Sequence, residues 1–361
     1  MASAAVPEGP DALTERLFGA ALGAYELLTV YLGDRLGLYT ALAERGPLTS
    51  SALAEATGID ERYAREWLEQ QAVAGFVALD RDGETSERLF RLPEGHEDVF
   101  LDRDSLSYLV PMAQFGVAFA RVLDAVEGAF RSGGGVPWSE YGDVGRTAQE
   151  GANRPQFRNL LASEWIPAMP DVHARMADDP PARIADVACG AGWSSIALAL
   201  AFPKVRVDGF DLDEPSIEAA RRNAVEAGVS DRVAFHIRDA AEGLHGSYQL
   251  VAVFEAIHDL SRPADVLRAM RALAADDGAV LVVDERVADR FTAPGDDIER
   301  LMYTYSVLCC LPVGLADSPS AATGTVMRTD TLRRYAQEAG FSDLDVLPIE
   351  HDVFRFYRLT S

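Results

Sequence analysis

The sequence is poor in the residue types that several functional classes require. It contains three cysteines (Cys189, Cys309 and Cys310) and no Cys-x-x-Cys or histidine-rich spacing of the kind that holds metal ions or disulfide frameworks. Lysine occurs once, at Lys204, and 57 acidic residues against 33 basic ones give a formal net charge of −24. Because nucleic-acid binding requires clustered positive charge, we expect no polyanionic partner. Such acidity favours a dispersed protein that binds cationic rather than anionic small ligands.

Long apolar runs and a basic leader are also missing. Residues 1–17 contain neither a basic n-region nor an apolar core. The stretch from Asp104 to Ala120 falls short of the roughly 20 apolar residues that a membrane span needs. We therefore expect a cytoplasmic protein without a signal peptide or a membrane span. The length of 361 residues and the hydrophobic content of 48% fit two globular domains.

The first third of the chain has the pattern of several helices followed by a hairpin. Apolar residues at helical spacing, with capping residues and glycine stops, predict helices over 11–32, 36–43, 49–58 and 61–74. Two short apolar runs at 76–79 and 89–92 flank the turn at 80–83 and predict a hairpin. This order is typical of a winged helix. Its candidate recognition helix, 61–74, has more glutamates than arginines, so a structural or dimerisation module is favoured over a DNA-binding one.

The second half, from Arg183 onward, alternates strands with helices. Strands are predicted at 185–189, 205–211, 233–237, 249–254 and 278–284, with helices between them and two further strands at 344–349 and 353–359. This alternation predicts a mostly parallel sheet with helices on both faces and one antiparallel strand at an edge. Between the halves, a flexible glycine loop at 131–137 and helical segments from Phe157 to Met169 are expected to form a linker that covers a ligand pocket.

A glycine-rich turn joins the first of these strands to the next helix, in the run Asp186-Val-Ala-Cys-Gly190-Ala-Gly192-Trp-Ser-Ser195. Glycines at such a turn allow a nucleotide-like ligand to approach the backbone closely. Ser195 stands where a dinucleotide motif has its third small residue, which disfavours NAD and FAD. Asp211 lies 21 residues after Gly190, at the end of the next strand, where a carboxylate can accept both ribose hydroxyls.

At these residues the sequence resembles the class I S-adenosylmethionine-dependent methyltransferases. The glycine-rich run matches the first motif of that family, with Ala188 where a glycine is often found. The two following strands also end in carboxylates, Asp239 and Glu255. The resemblance implies cofactor contacts from Asp186, Ala188, Gly190, Gly192, Asp211, Leu212, Asp239, Ala240, Phe254 and Glu255.

The resemblance extends over the whole chain to bacterial small-molecule O-methyltransferases that carry an N-terminal winged helix. It implies a Rossmann-like α/β sheet of seven strands, the last of them antiparallel, with a helical N-terminal domain that dimerises and helps to close the acceptor pocket. We expect a dimerisation domain at 1–100, a helical linker and pocket cover at 101–170, and an S-adenosylmethionine-binding methyltransferase domain at 171–361.

A candidate base follows the fourth strand of the sheet. Methyl transfer is an in-line displacement in which the protein mainly aligns donor and acceptor, while a base removes the proton of the acceptor. His258-Asp259 resembles the His-Asp-Trp stretch of plant and bacterial O-methyltransferases, whose histidine is the general base, although Leu260 replaces the tryptophan. Alternatively, His258 caps the next helix or holds the loop.

The remaining candidates concern the acceptor, metals and cysteines. Apolar side chains that could line an acceptor pocket, or simply belong to the core, are Met112, Phe115, Trp138, Tyr141 and Tyr303. The run from Asp284 to Arg286 lacks the Asp-Asn arrangement of metal-dependent catechol methyltransferases, so we expect no metal. Cys309 and Cys310 lie in an apolar helical run and are interpreted as core residues, and Cys189 as a packing residue.

Together these features predict a homodimeric enzyme that transfers a methyl group from S-adenosylmethionine to a small molecule, with an oxygen of a secondary metabolite as the expected acceptor. It is expected to bind neither nucleic acid nor membranes. Two alternatives stay open. One is non-methylating chemistry on the same cofactor-binding fold, since fold alone does not decide chemistry. The other is a winged-helix transcriptional regulator.

Overall fold

The computed structural model describes residues 9–360. Part of the segment 1–17, from which we predicted the absence of a signal peptide, lies outside the described residues. The chain divides into two compact units. One contains the residues up to Ala120 together with Asp143–Pro155, and the other contains Arg121–Gly142 and the chain from Gln156 onward.

The first half of the chain contains the predicted helices and hairpin. In chain order its elements are α1 (Pro10–Arg35), α2 (Leu38–Arg45), α3 (Ser50–Thr57), α4 (Glu61–Val73), β1 (Ala78–Arg81), β2 (Leu89–Arg91), α5 (Glu97–Phe100), α6 (Val110–Ser132), a 3-10 turn (Trp138–Tyr141) and α7 (Gly142–Gln156). The side chains of Thr49 and Asp60 cap α3 and α4 by accepting hydrogen bonds from backbone N–H groups. Strands β1 and β2 pair in antiparallel fashion, which confirms the predicted winged helix.

Helix α1 leaves most of its large apolar side chains exposed within the described chain. Of its 26 residues, Val30 and Gly33 are buried. Leu17, Phe18 and Tyr25 are 61%, 71% and 67% exposed. The apolar pattern that predicted this helix therefore leaves an apolar surface on it rather than filling a core.

The second half forms a seven-stranded sheet. Its elements are a π-helix (Phe157–Trp165), α8 (Pro170–Ala177), β3 (Arg183–Val187), α9 (Trp193–Ala201), β4 (Arg206–Asp211), α10 (Glu214–Glu226), β5 (Val233–Ile237), a 3-10 turn (Ala240–Glu242), β6 (Tyr248–Phe254), α11 (Pro263–Leu273), β7 (Ala274–Glu285), α12 (Asp297–Tyr305), a second π-helix (Ser306–Cys310), α13 (Leu311–Gly314), α14 (Thr329–Glu338), β8 (Asp343–Val346) and β9 (Phe354–Thr360).

The strand order is β5-β4-β3-β6-β7-β9-β8, with β3 to β7 parallel. Strand β9 is antiparallel to both of its neighbours, which confirms the predicted last strand. The prediction that this antiparallel strand lies at an edge was wrong. Because β9 pairs with β7, it stands between β7 and β8, and β8 becomes the edge strand.

Apolar residues cover both faces of the sheet. Successive residues of a strand point to opposite faces, so Ile184 and Ala185 belong to different core clusters. The π-helix that precedes α8 contributes Phe157, Leu161 and Trp165 to the first of these clusters. The segment expected to be a linker is therefore also part of the main core.

The loop at 131–137 is packed rather than flexible. The Val136 N–H donates to the carbonyl of Pro312 at 2.9 Å. A Cβ added to Gly135 would lie 2.2 Å from the backbone nitrogen of Ala316, so that position has room only for glycine. Within the described residues, no helix has the length and apolar content needed to cross a membrane.

Candidate active site

The predicted cofactor residues lie at the carboxyl edge of the parallel strands. After β3 the chain continues to β4 and β5 on one side, whereas β6 and β7 lie on the other side of β3. Loops that follow β3 and β6 therefore leave the sheet in opposite directions. In open α/β sheets the crevice at such a switch point is where ligands bind.

The loop after β3 has three residues in the left-handed region of backbone conformation. Ala188, Gly190 and Gly192 have φ values of 56°, 51° and 80°. A Cβ at Gly192 would lie 2.5 Å from the ring of Phe235, whereas a Cβ at Gly190 would meet no atom within 4 Å. Gly192 therefore permits close packing of α9, and Gly190 faces open space. Ala188 has this left-handed conformation although it is not a glycine, and the conformation is costly for a residue with a Cβ.

Asp186 is fully buried and ties β3 to α9. Its Oδ2 accepts hydrogen bonds from the hydroxyls of Ser194 at 2.5 Å and Ser195 at 2.6 Å. Burial raises the pKa of Asp186 to about 6. Ser195, the departure from a dinucleotide motif, thus has a structural function. Asp186 has 0% exposure and supports the glycine loop from the core, and its contact with a cofactor stays a prediction.

Asp211 holds the glycine loop from the end of β4. Its Oδ2 accepts from the Gly190 N–H, and its Oδ1 accepts from the Asp213 N–H, each at 2.8 Å. Burial raises the pKa of the Asp211 carboxyl. Next to it, Leu212 is 65% exposed. Open space above a glycine backbone, a carboxylate and an exposed apolar side chain together fit a nucleoside with its ribose hydroxyls on the carboxylate.

The turn after β5 contains two further predicted residues, Asp239 and Ala240. Asp239 caps this turn by accepting from the Ala241 N–H at 2.8 Å, and its second oxygen pairs with Arg262 at 2.9 Å. Ala240 is partly buried against the core. Both residues therefore shape the edge beside Asp211, and Asp239 keeps part of its side chain exposed.

Phe254 and Glu255 end β6 in different environments. Phe254 is 6% exposed, and its ring packs 5.2 Å from that of Phe157, so it is a core side chain. Glu255 is partly buried and adopts a φ of 52°, while its N–H donates to the carbonyl of Val283. This uncommon backbone conformation turns the chain sharply at the switch point.

His258 is buried beside two carboxylates from the end of β7. Its Nδ1 lies 2.8 Å from Asp284 Oδ1 and 2.8 Å from Glu285 Oε2. Burial alone would lower the pKa of His258, but Glu285 and Asp284 outweigh it and raise this pKa well above the usual value. Burial opposes ionisation of Asp284 too, yet His258 lowers the pKa of that carboxyl. Burial raises the pKa of Glu285.

Other protic groups surround this histidine. The Cys310 thiol interacts with the side chains of Cys309, His258 and Thr325, and the contact with Cys309 contributes most to lowering its pKa. Burial raises the pKa of Asp259 to about 7. His258 therefore does not cap α11, whose N-cap residue is Arg262. It is the centre of a buried polar cluster that also ties its loop to the end of β7.

Sequence reasoning missed the carboxylate partners of His258. Asp284 and Glu285 were considered only as metal ligands, and Cys310 only as a core residue. The available signal was their position, because residues that end adjacent parallel strands meet at one edge. Strands β6 and β7 pair in the register Phe254 to Val283, which places Asp284 and Glu285 beside the loop that contains His258.

The predicted acceptor residues divide between the two compact units: Trp138, Tyr141 and Tyr303 belong to one, and Met112 and Phe115 to the other. Trp138 and Tyr141 stack at 5.5 Å, but Tyr141 is fully buried, and its hydroxyl donates to the carbonyl of Leu308. Tyr303 is 37% exposed, and its hydroxyl lies 3.3 Å from Arg328. Met112 and Phe115 belong to the N-terminal unit. There Phe115 is buried and stacks on Phe119 at 5.6 Å. Tyr141 and Phe115 are thus buried, and the assignment of the five residues to an acceptor pocket stays a prediction.

Alanine substitutions should distinguish the structural roles of Gly190 and Gly192. Gly190→Ala adds backbone strain alone and is expected to destabilise the fold by about 1–2 kcal/mol. Gly192→Ala adds the clash with Phe235 and should cost about 1–3 kcal/mol more. Urea unfolding of both variants measures the difference, with Gly228→Ala, also at positive φ and in open space, as the control. Equal losses at Gly190 and Gly192 would contradict this packing.

Comparisons with known proteins agree with this geometry. Residues 178–339 match the family model described as a methyltransferase domain, and residues 24–103 match the Rv2258c-like winged HTH domain. A ubiquinone biosynthesis O-methyltransferase of Bordetella bronchiseptica is 37% identical over 99 residues, which are 27% of this chain and 40% of that enzyme. The chain thus spans about 40% of the length of such curated relatives.

Other relatives match this chain over both of its domains. The mitomycin biosynthesis 6-O-methyltransferase of Streptomyces lavendulae is 26% identical over 290 residues, or 74% of this chain and 76% of the relative. The solved structure of a mitomycin 7-O-methyltransferase aligns over 97% of this chain and 98% of its own, with a TM-score of 0.66 and 21% identity. Residues 24–103 are therefore a winged helix-turn-helix domain, and residues 178–339 belong to a methyltransferase domain with a Rossmann-like sheet of seven strands.

Proposed function

We propose that the protein transfers a methyl group from S-adenosylmethionine to an oxygen of a small acceptor. The observation that carries this proposal is the juxtaposition, at one edge of the sheet, of the loop at Gly190 and Asp211 with the buried histidine His258. A methyltransferase family match and the likeness to a mitomycin 6-O-methyltransferase support it. Oxygen acceptors suit a site with a histidine, because a hydroxyl must lose its proton during transfer.

The proposed cofactor site uses the backbone at Gly190 and the carboxylate of Asp211 for the ribose, with Leu212 and the turn at Asp239–Ala240 beside the base. Ala188, Gly192 and Glu255 shape the loops around it, while Asp186 and Phe254 support them from the core. When bound, S-adenosylmethionine supplies an electrophilic methyl group on a sulfonium cation. A strongly acidic chain suits such a ligand, which has positive charge and no phosphate.

We propose His258 as the general base. Its Nδ1 faces Asp284 and Glu285, so Nε2 would accept the proton of the acceptor, in competition with the Cys310 thiol that also interacts with this imidazole. Asp284 acts as a positioning residue, because its hydrogen bond fixes the orientation of the imidazole. The same carboxylates stabilise the imidazolium that forms when the proton arrives.

Removal of the imidazole should abolish the base while the cofactor site stays intact. His258→Ala is expected to lower kcat by about 10²–10⁴-fold with little change in cofactor affinity. Label transfer from methyl-labelled cofactor to acceptors in a metabolite extract measures turnover, and isothermal titration measures binding. Full turnover by the variant would remove the base assignment. Turnover by the wild-type protein without label in the product would support the non-methylating alternative.

The carboxylates beside His258 should control the pH dependence of turnover. His258 can act as a base only when it is neutral. Its raised pKa therefore places the rising limb of the profile of kcat/KM against pH at a higher pH than an ordinary histidine would. Asp284→Asn removes one of the charges and should move this limb to lower pH. Asp289→Asn, at an exposed carboxylate that pairs with Arg355, should leave it in place. An unmoved limb in Asp284→Asn would contradict the coupling.

The same shift has a stability consequence of definite sign. A folded-state pKa above the unfolded value means that the folded chain binds its proton more tightly. The contribution of His258 to stability is therefore complete below about pH 6.5, the unfolded value, and is lost as the pH rises through the raised pKa.

We also propose that the chain is a homodimer joined through α1. Exposed apolar side chains along this helix are unusual for a monomer and typical of an interface. The winged helix then serves assembly rather than DNA binding, because Arg62 and Arg65 of α4 pair with Glu66 and Glu61. The division at 1–100, 101–170 and 171–361 and the cytoplasmic location stay predictions.

Charge on the apolar surface of α1 should dissociate the dimer. Phe18→Glu is expected to weaken dimerisation by at least tenfold, because the carboxylate loses its hydration in the interface. Analytical ultracentrifugation measures the monomer–dimer equilibrium. Val73→Glu is the matched control, since Val73 is 90% exposed on α4. A wild-type monomer, or equal effects of the two substitutions, would refute this interface.

A further inference from the structure

The cluster of His258, Asp284 and Glu285 has the composition of a metal-ion site. We propose that these three side chains bind one divalent ion of the first transition series, with zinc as the simplest representative. This departs from the sequence expectation of no metal, which considered only the Asp-Asn arrangement of other methyltransferases. It goes beyond the proposed methyl transfer, and the binding itself does not depend on that proposal.

The distances suit a small cation. His258 Nδ1 lies 2.8 Å from one oxygen of each carboxylate, and one ligand atom from each of the three residues falls within 4.8 Å of the others. Ligand atoms around a tetrahedral zinc ion, at bonds near 2.1 Å, are about 3.4 Å apart. The imidazole and the carboxylate oxygens would therefore have to move apart by roughly half an ångström to fit an ion.

The cluster contains an acceptor that protein groups leave unused. Asp284 is 1% exposed, and its Oδ2 has no hydrogen-bond partner among the described residues. A buried carboxylate oxygen without a partner is costly. Glu285 Oε2, which faces His258 Nδ1, has no hydrogen-bond partner among the described residues either. An ion between His258 and the two carboxylates would satisfy this oxygen directly, and Asp284 Oδ2 if that carboxylate binds through both of its oxygens.

The charges and donor types select the class of ion. A neutral imidazole and two carboxylates neutralise a divalent cation, so the filled site would be uncharged in its buried environment. One nitrogen and two oxygens suit zinc, cobalt, iron or manganese, whereas magnesium and calcium prefer oxygen ligands alone. Three protein ligands also leave a coordination position open, as in sites that exchange their fourth ligand.

Metal binding has a consequence for the proposed base, and this consequence alone rests on the proposed function. An imidazole bound to an ion through Nδ1 carries its single proton on Nε2. It then donates a hydrogen bond from Nε2 and cannot accept a proton there. The ion would compete with base catalysis, so zinc should inhibit methyl transfer.

Zinc binding to the full chain tests the proposal directly. Tag-free protein washed with chelator is dialysed against zinc chloride, and bound metal is measured by atomic emission. We expect one zinc ion per wild-type chain and at least a tenfold weaker affinity in Asp284→Asn and in Glu285→Gln. Asp289→Asn should bind as the wild type does, because its exposed carboxylate lies outside the cluster. Wild-type protein that binds no zinc, or variants that bind equally, would overturn the site.

Cobalt substitution covers the case in which a variant does not fold, which circular dichroism reveals. Cobalt(II) in the wild-type chain should give the intense visible bands of a four- or five-coordinate site, and zinc should displace them. A weak spectrum like that of hydrated cobalt would overturn the proposal without any variant. Zinc that binds at this site without inhibiting turnover would leave the metal site standing and contradict the base assignment of His258.

Discussion

The parallel pairing of β6 with β7 is the constraint on which the candidate site depends. It places the end of β7 beside the loop that leaves β6, so His258 meets Asp284 and Glu285 inside the protein. Three ionisable groups buried together are tolerable only if they satisfy one another, because an unpaired buried charge is strongly destabilising. The sheet register therefore fixes the electrostatic state of the histidine, and with it the proton chemistry that the site can perform.

On the β3 side of the switch point, Asp186 supports the glycine loop from within the core. This carboxylate accepts from two serine hydroxyls of α9 and so joins the end of β3 to the start of the helix. Asp211 then holds the loop from the neighbouring strand through the Gly190 N–H. One acidic residue of the motif thus fixes the start of α9, and another holds the loop from the neighbouring strand, although both look alike in the sequence.

Sequence patterns predicted the order of the helices and strands well, because the formation of each helix or strand depends on local signals. The caps at Thr49 and Asp60, the glycine turn after β3 and the alternation of strands with helices all formed as expected. What the sequence left open depends on contacts between distant residues. The insertion of β9 beside β7, the packing of the 131–137 loop and the burial of Tyr141 follow from tertiary contacts that no local pattern records. The position of His258 was predictable, but its partners required knowledge of which strands are neighbours.

Ala188 gives the glycine loop a strained backbone conformation but also restricts its backbone freedom. Its left-handed backbone conformation costs about 1–2 kcal/mol that a glycine would avoid. Glycine, however, would allow the loop many more backbone states before a ligand arrives, and ordering those states reduces affinity. With alanine at this position, much of the entropy is lost when the chain folds rather than when a ligand binds. The loop is in this sense organised in advance for the molecule that it receives.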